Sequence, residues 1–121
     1  MGLWRRYLDW RRRHVAALEL TGDGFRLAHG RASQVVVWQD IRQITAFKRD
    51  LYAFDCICLL LATPDGVVEV NEQMEGFIAF REAMEAHFGF APTWYIQIMT
   101  PVFEPTPIHL YRHPDLIEPA P

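Results

Sequence analysis

The side chains best equipped for chemistry are two cysteines and five histidines. Cys56 and Cys58 sit in the apolar run "FDCICLLLAT". One intervening residue is too few for an ordinary intrastrand disulfide, and it is not the C-x2-C spacing of a zinc site. On a strand the two thiols share a face, and a thiol in apolar surroundings ionises poorly, so both read as small core residues rather than nucleophiles. His14, His29, His87, His109 and His113 are scattered along the chain. His109 and His113 are four apart, but Pro114 and the loop composition argue against a helix presenting both. Ser33 lies in a loop with no motif around it, and Gly22-Asp23-Gly24 falls in a hairpin rather than ahead of a helix, without the further glycine and lysine of a phosphate loop. The expectation is a chain with no catalytic residues, no cofactor and no metal, hence not an enzyme.

Two charged stretches have a different character. "FKRDLYAFD" brings Lys48, Arg49, Asp50 and Asp55 together with Leu51, Tyr52 and Phe54. A connection that mixes charge with exposed apolar side chains suits contact with another protein. The opening "MGLWRRYLDWRRRH" reads as an amphipathic helix over residues 3–13. Leu3, Trp4, Tyr7, Leu8 and Trp10 fall on one arc, while Arg5, Arg6, Asp9, Arg12 and Arg13 fill the other side and Arg11 intrudes near the C-terminal end. Three uses fit such a helix. Its aromatic face could pack on this protein's own sheet or on a second copy, it could lie on an anionic membrane surface, or it could bind nucleic acid. The first is favoured, because short helices draw their stability from tertiary contacts. Nucleic acid is disfavoured, since the aromatics lie opposite the arginines rather than between them and the chain carries a net charge of −3.

That net charge hides an asymmetry. Residues 1–49 hold ten bases and four acids, and residues 50–121 hold two bases and eleven acids. The halves either form two opposite faces or neutralise each other by packing together, and the second reading is favoured.

At 121 residues, half of them apolar, the chain is one domain able to bury a core without disulfides or metal. No stretch reaches the length of a spanning helix and the N-terminus lacks the apolar segment of a signal peptide, so a cytoplasmic location is expected, with a membrane-peripheral one as the alternative.

After the first helix the period changes to two. Val15–Leu20 and Phe25–Ala28 form a hairpin around "TGDG". "QVVVWQDI" is a third strand, and "RQITAFKRD" a fourth that alternates Ile44, Ala46 and Lys48 against Gln43, Thr45 and Phe47. "FDCICLLLAT" is unbroken enough to be central and covered on both faces, and "PDG" returns the chain into "VVEVNE". A helix from about Gln73 to Phe88 follows, with Asn71 as N-cap, Met74, Phe77, Ile78, Met84 and Phe88 on one face, Glu75, Glu82 and Glu85 pointing away, and Gly89 as its stop. "TWYIQIMTPVF" adds a strand or drapes over the core. Residues 105–121 read as a proline-rich, loosely ordered tail beyond a domain spanning 1–104. The fold class is α+β: one curled antiparallel sheet of six or seven strands, a long C-terminal helix and a short N-terminal one.

The runs "VVVWQDIRQITAFKRD" and "CICLLLATPDGVVEVNEQMEGFIAFREAM" resemble the strand–strand–hairpin–helix pattern of pleckstrin-homology-like and GRAM-like small domains, in which a W-x-D-I-x-x-I step joins two strands. The resemblance covers roughly residues 15–88 and implies a PH-like domain. The same string is similar to a group of uncharacterised bacterial proteins from which no activity carries over. Pleckstrin-homology domains that bind phosphoinositides carry several Lys and Arg around the first hairpin loop. Here that loop is Thr21-Gly22-Asp23-Gly24 with only Arg26 nearby, and the helix lacks the tryptophan common in that family, so the resemblance does not extend to inositol-phosphate binding.

The sequence thus points to a non-enzymatic interaction module with an unidentified protein partner. Its candidate surface is Lys48, Arg49, Leu51, Tyr52 and Phe54, together with Arg5, Arg6, Arg12 and Arg13 of the first helix. Homodimerisation is compatible with this reading. The alternatives are a peripheral membrane adaptor and an immunity-type inhibitor whose acidic half neutralises a basic toxin or nuclease.

Overall fold

A computed structural model describes residues 2–6, 15–50, 55–100 and 107–114. Seven strands and two helices follow a helical turn at residues 2–6. They are β1 (Ala17–Leu20), β2 (Gly24–His29), β3 (Ala32–Val37), β4 (Gln43–Asp50), β5 (Asp55–Thr63), β6 (Gly66–Asn71), α1 (Phe77–Phe88), α2 (Thr93–Met99) and β7 (Ile108–Arg112).

The class is α+β, but the strands do not form one curled sheet. They divide into β1-β2-β3 and β6-β5-β4-β7, both antiparallel. The division falls at the Trp38-Gln39-Asp40-Ile41 step. The Trp38 N–H still bonds to Asp23 of the first sheet (3.0 Å), and Ile41 N–H then bonds back to Trp38 in a 3-10 turn (3.1 Å). Arg42 N–H already belongs to the second sheet, bonding to Ala62 (2.7 Å). Four residues thus carry the chain out of one ladder and into the next.

Period-two alternation accounts for most strands. On β4 Ile44, Ala46 and Lys48 point inward, and on β5 the consecutive residues Cys56–Leu59 are all buried, as a strand covered on both faces requires. Thr63 closes the β5–β6 turn, its hydroxyl donating to the Gly66 carbonyl (2.8 Å) and accepting from Asp65 N–H (3.2 Å). Phe25 and Val36 from the first sheet and Trp38 of the 3-10 turn meet Ile44, Ile57, Leu59 and Val70 from the second sheet, with Phe80 and Met84 of α1 in the same cluster.

The helical region departs from expectation. α1 begins at Phe77, not near Gln73, because the preceding backbone is used elsewhere. Glu75 pairs with the outer edge of β1, accepting from Leu18 N–H (2.7 Å) and donating to Ala16 (3.0 Å), so it cannot also be helical. Asn71 caps a turn at Gln73 N–H rather than the helix. The later start puts Phe77, Phe80 and Met84 on the buried face and leaves Ile78 74% exposed. Gly89 ends the helix with φ 73°, its N–H on Glu85 (2.9 Å).

The segment after Pro92 is the helix α2, neither strand nor drape, and it buries Trp94 and Ile98, four apart on one face. The helices are therefore not the end of the fold. Ile108–Arg112, expected in a loose tail, pairs antiparallel with β4, and His113 N–H bonds to Arg42 (2.7 Å). Pro107 and Pro114 lie just outside this strand, where an edge position tolerates them. Residues 105–106 and 115–121 lie outside the described residues.

Gly76 holds φ 81°, and a Cβ there would overlap the Leu18 carbonyl oxygen. Gly30 has φ 63° but open space around it. Gly76→Ala should therefore lower stability by about 2 kcal/mol or more in urea denaturation, against about 1 kcal/mol for Gly30→Ala. Equal losses would show that the β1–Glu75 approach does not constrain the fold.

Candidate interaction surface

Strand geometry separates the two cations that the sequence placed together. Successive side chains of β4 point to opposite faces, so Lys48 and Arg49 cannot act on one partner. Lys48 belongs to the inward row. Its side chain is only 4% exposed and its Nζ lies 3.5 Å from Asp55 Oδ2. It is a structural cation rather than a contact residue, which corrects its place on the surface.

Arg49 points outward. It reaches across β5 to Glu69 on β6 in a two-pronged ion pair, with NH1 donating to Oε2 (3.3 Å) and NH2 to Oε1. Its guanidinium carbon stands 5.5 Å from the centre of the Phe47 ring. Farther along this face, Gln43 Nε2 donates to His109 Nδ1 (3.1 Å), which also lies 3.1 Å from the Thr45 hydroxyl. β7 brings His109 there from 64 residues away in sequence, so no local pattern announces the cluster. Val67, 65% exposed, lies on the same outer face.

Beneath the Arg49–Glu69 bridge run the two thiols, both free and buried. Burial, with the neighbouring Cys56 adding to it, pushes Cys58 up to about 12, and burial also raises Cys56. Each thiol is satisfied by a backbone carbonyl, Cys56 by Ile57 and Cys58 by Cys56. At neutral pH they are protonated and apolar, in keeping with their reading as core residues.

Leu51, Tyr52, Phe54, Arg12 and Arg13 lie outside the described residues. Arg5 and Arg6 belong to the exposed helical turn at residues 2–6. There Leu3 is 83% and Trp4 68% exposed. Leu3 and Trp4 thus stay exposed on the single chain, while Tyr7, Leu8 and Trp10 of the same arc lie outside the described residues.

Two carboxylates that sequence reading left unassigned or pointing away instead dock α2. Glu85 accepts from Trp94 Nε1 (2.6 Å) and from Arg81 Nε (3.0 Å). Glu72 accepts from Tyr95 Oη (2.5 Å) and from Ile57 N–H (2.9 Å). Burial, followed by this bond to Glu72, raises Tyr95 to about 12. Arg81 lies over the Tyr95 ring at 4.3 Å.

The surface formed by the described residues holds at least two concavities. One of about 670 Å³ lies between the sheets by Leu27, His29, Asn71 and Met74. Another of about 410 Å³ lies by Trp38, His87, Tyr111 and His113. Among the described residues no three His, Cys, Asp or Glu side chains gather as a metal site, and no helix is long and apolar enough to cross a membrane. Compared with known proteins, the chain matches no protein-family model, no curated protein and no solved structure.

The buried thiols make the fold sensitive to alkali. An unfolded thiol ionises near 9.0, whereas Cys58 holds its proton to about 12. Between these values the folded chain binds more protons, so stability is intact below the lower value and falls as pH rises through the window. Urea midpoints at about pH 8 and about pH 10 should differ more in the wild type than in Cys58→Ala. Equal differences would assign the loss to other groups.

Proposed function

We propose that this chain is a non-enzymatic binding module whose partner is another protein, contacted through the N-terminal helix and the outer face of β4. The exposure of Leu3 and Trp4 beside Arg5 and Arg6 carries this reading. Covering side chains of this size contributes roughly 1.5–3 kcal/mol each, and Trp and Arg are the residue types that dominate protein interfaces. Phe47, Arg49 and Val67 supply a second mixed surface on the outer sheet face. Two free cysteines fit a cytoplasmic location.

A pleckstrin-homology-like relationship is part of the proposal. The β1–β3 meander, the β4–β6 meander and the following α1 support it. The short β1–β2 loop with Asp23 and no basic cluster argues for a protein partner over an inositol phosphate.

The same exposure favours a second reading, a peripheral membrane adaptor. Trp suits the interface, and each basic residue near an anionic surface adds about 1 kcal/mol.

A photo-cross-linking residue at Trp4 should join the chain to one discrete protein species, with loss of the adduct in R5E/R6E and none from the same probe at Ile78. Salt-sensitive flotation of the full chain on anionic vesicles, abolished by R5E/R6E, would transfer the function to the membrane. Substrate turnover by the purified protein in a broad hydrolase and transferase screen would overturn the module reading.

A further inference from the structure

Two aspartates precede glycine, Asp23 in "TGDG" and Asp65 in "TPDG", and both lie exposed in hairpin turns. An aspartate followed by glycine can cyclise onto its own backbone, because glycine places no side chain in the way of the approaching amide. Ring closure requires the aspartate to turn about its Cα–C bond until the next amide nitrogen faces its carboxyl carbon. The fold treats the two pairs differently.

At Asp23 main-chain bonds oppose that rotation. The Asp23 carbonyl accepts from Trp38 N–H (3.0 Å), and the Gly24 carbonyl accepts from Thr21 N–H (3.0 Å). Turning Asp23 would leave the N–H of buried Trp38 unpaired. Gly24 is itself buried in β2, where a Cβ would overlap the Val36 carbonyl oxygen. At Asp65 these restraints are missing. Its carbonyl takes no main-chain bond among the described residues. Gly66, with φ 133°, is exposed, and a Cβ there would meet nothing within 4 Å. The Thr63 hydroxyl spans the pair through two water-exposed bonds, to Asp65 N–H and the Gly66 carbonyl. Thr63↔Gly66 is the last rung of the β5–β6 ladder, where opening costs least.

We propose that Asp65 is a self-modification site, which converts to isoaspartate in the folded chain while Asp23 stays intact. The Gly66 nitrogen forms a bond to Asp65 Cγ, its proton leaves with the carboxyl hydroxyl as water, and a five-membered succinimide results. Water then opens the ring. Cleavage at the former side-chain carbonyl restores aspartate. Cleavage at the main-chain carbonyl leaves isoaspartate, whose chain runs on through the β-carbon. Nothing is oxidised or reduced, and water is the only co-reactant. The product carries a free α-carboxylate and one extra main-chain carbon in the β5–β6 turn, two residues before Val67. The conversion is independent of the partner surface proposed above.

The full chain, incubated for weeks in neutral buffer, is followed by peptide mapping. Isoaspartate blocks an aspartate-specific protease and shifts peptide retention at unchanged mass. In the native chain the isoaspartate fraction at residue 65 should exceed that at residue 23 by about tenfold or more, the factor that one retained backbone hydrogen bond supplies. In urea the two positions should convert at similar rates, which assigns the difference to the fold. Asp65→Glu, which would need a larger ring, should abolish the conversion, with circular dichroism confirming that the variant folds. A native chain without isoaspartate at residue 65 would overturn the proposal. So would equal conversion at both positions in the native chain, or an Asp23 that stays intact in urea as well. None of these outcomes bears on cross-linking at Trp4.

Discussion

Two antiparallel sheets that share no strand depend on one aromatic contact. Phe25 of β2, Trp38 of the 3-10 turn and Phe80 of α1 meet with ring centres 4.8–5.8 Å apart, and all three are buried. Trp38 belongs to the step that leaves the first ladder, so the same residue turns the chain and packs the joint. Aromatic side chains bury more area than any others and gain from edge contacts, which suits them to the junction of two layers. α1 is pinned at both ends of this joint: Gly76 lets it start against β1, and His87 stacks on Trp38 at its far end, 5.7 Å between ring centres.

Charge follows the same economy of placement. The basic and acidic halves meet at residue 50, and among the described residues at least two ion pairs cross that division: Lys48 with Asp55 inside, Arg49 with Glu69 outside. The exposed pair contributes little stability by itself. Its geometry matters more, because it bridges β4 and β6 across the buried thiols and holds the Arg49 guanidinium beside Phe47.

Much of the fold was legible in local pattern. The alternation of β4 placed Ile44, Ala46 and Lys48 on one side, the unbroken run of β5 marked a strand covered on both faces, and Gly89 marked the end of α1. The surface was less legible. Arg49 emerged on the outer face, while its neighbour Lys48 did not, although the alternation already set the two apart. The Gln43–Thr45–His109 cluster carried no signal, because β7 reaches β4 only through a long-range ladder.

The sequence by itself determined β1 to β6, their tight turns and the helix stop, since these depend on side-chain period and on residues that tolerate left-handed backbone. Tertiary structure alone decided that the strands form two sheets, that Glu75 bonds to β1 instead of beginning a helix, and that a proline-flanked segment becomes β7. Each of these turns on which distant backbone groups satisfy one another, and buried N–H and C=O groups must find partners wherever the folded chain supplies them. Local periodicity says that a strand will form. It does not say which strand lies beside it.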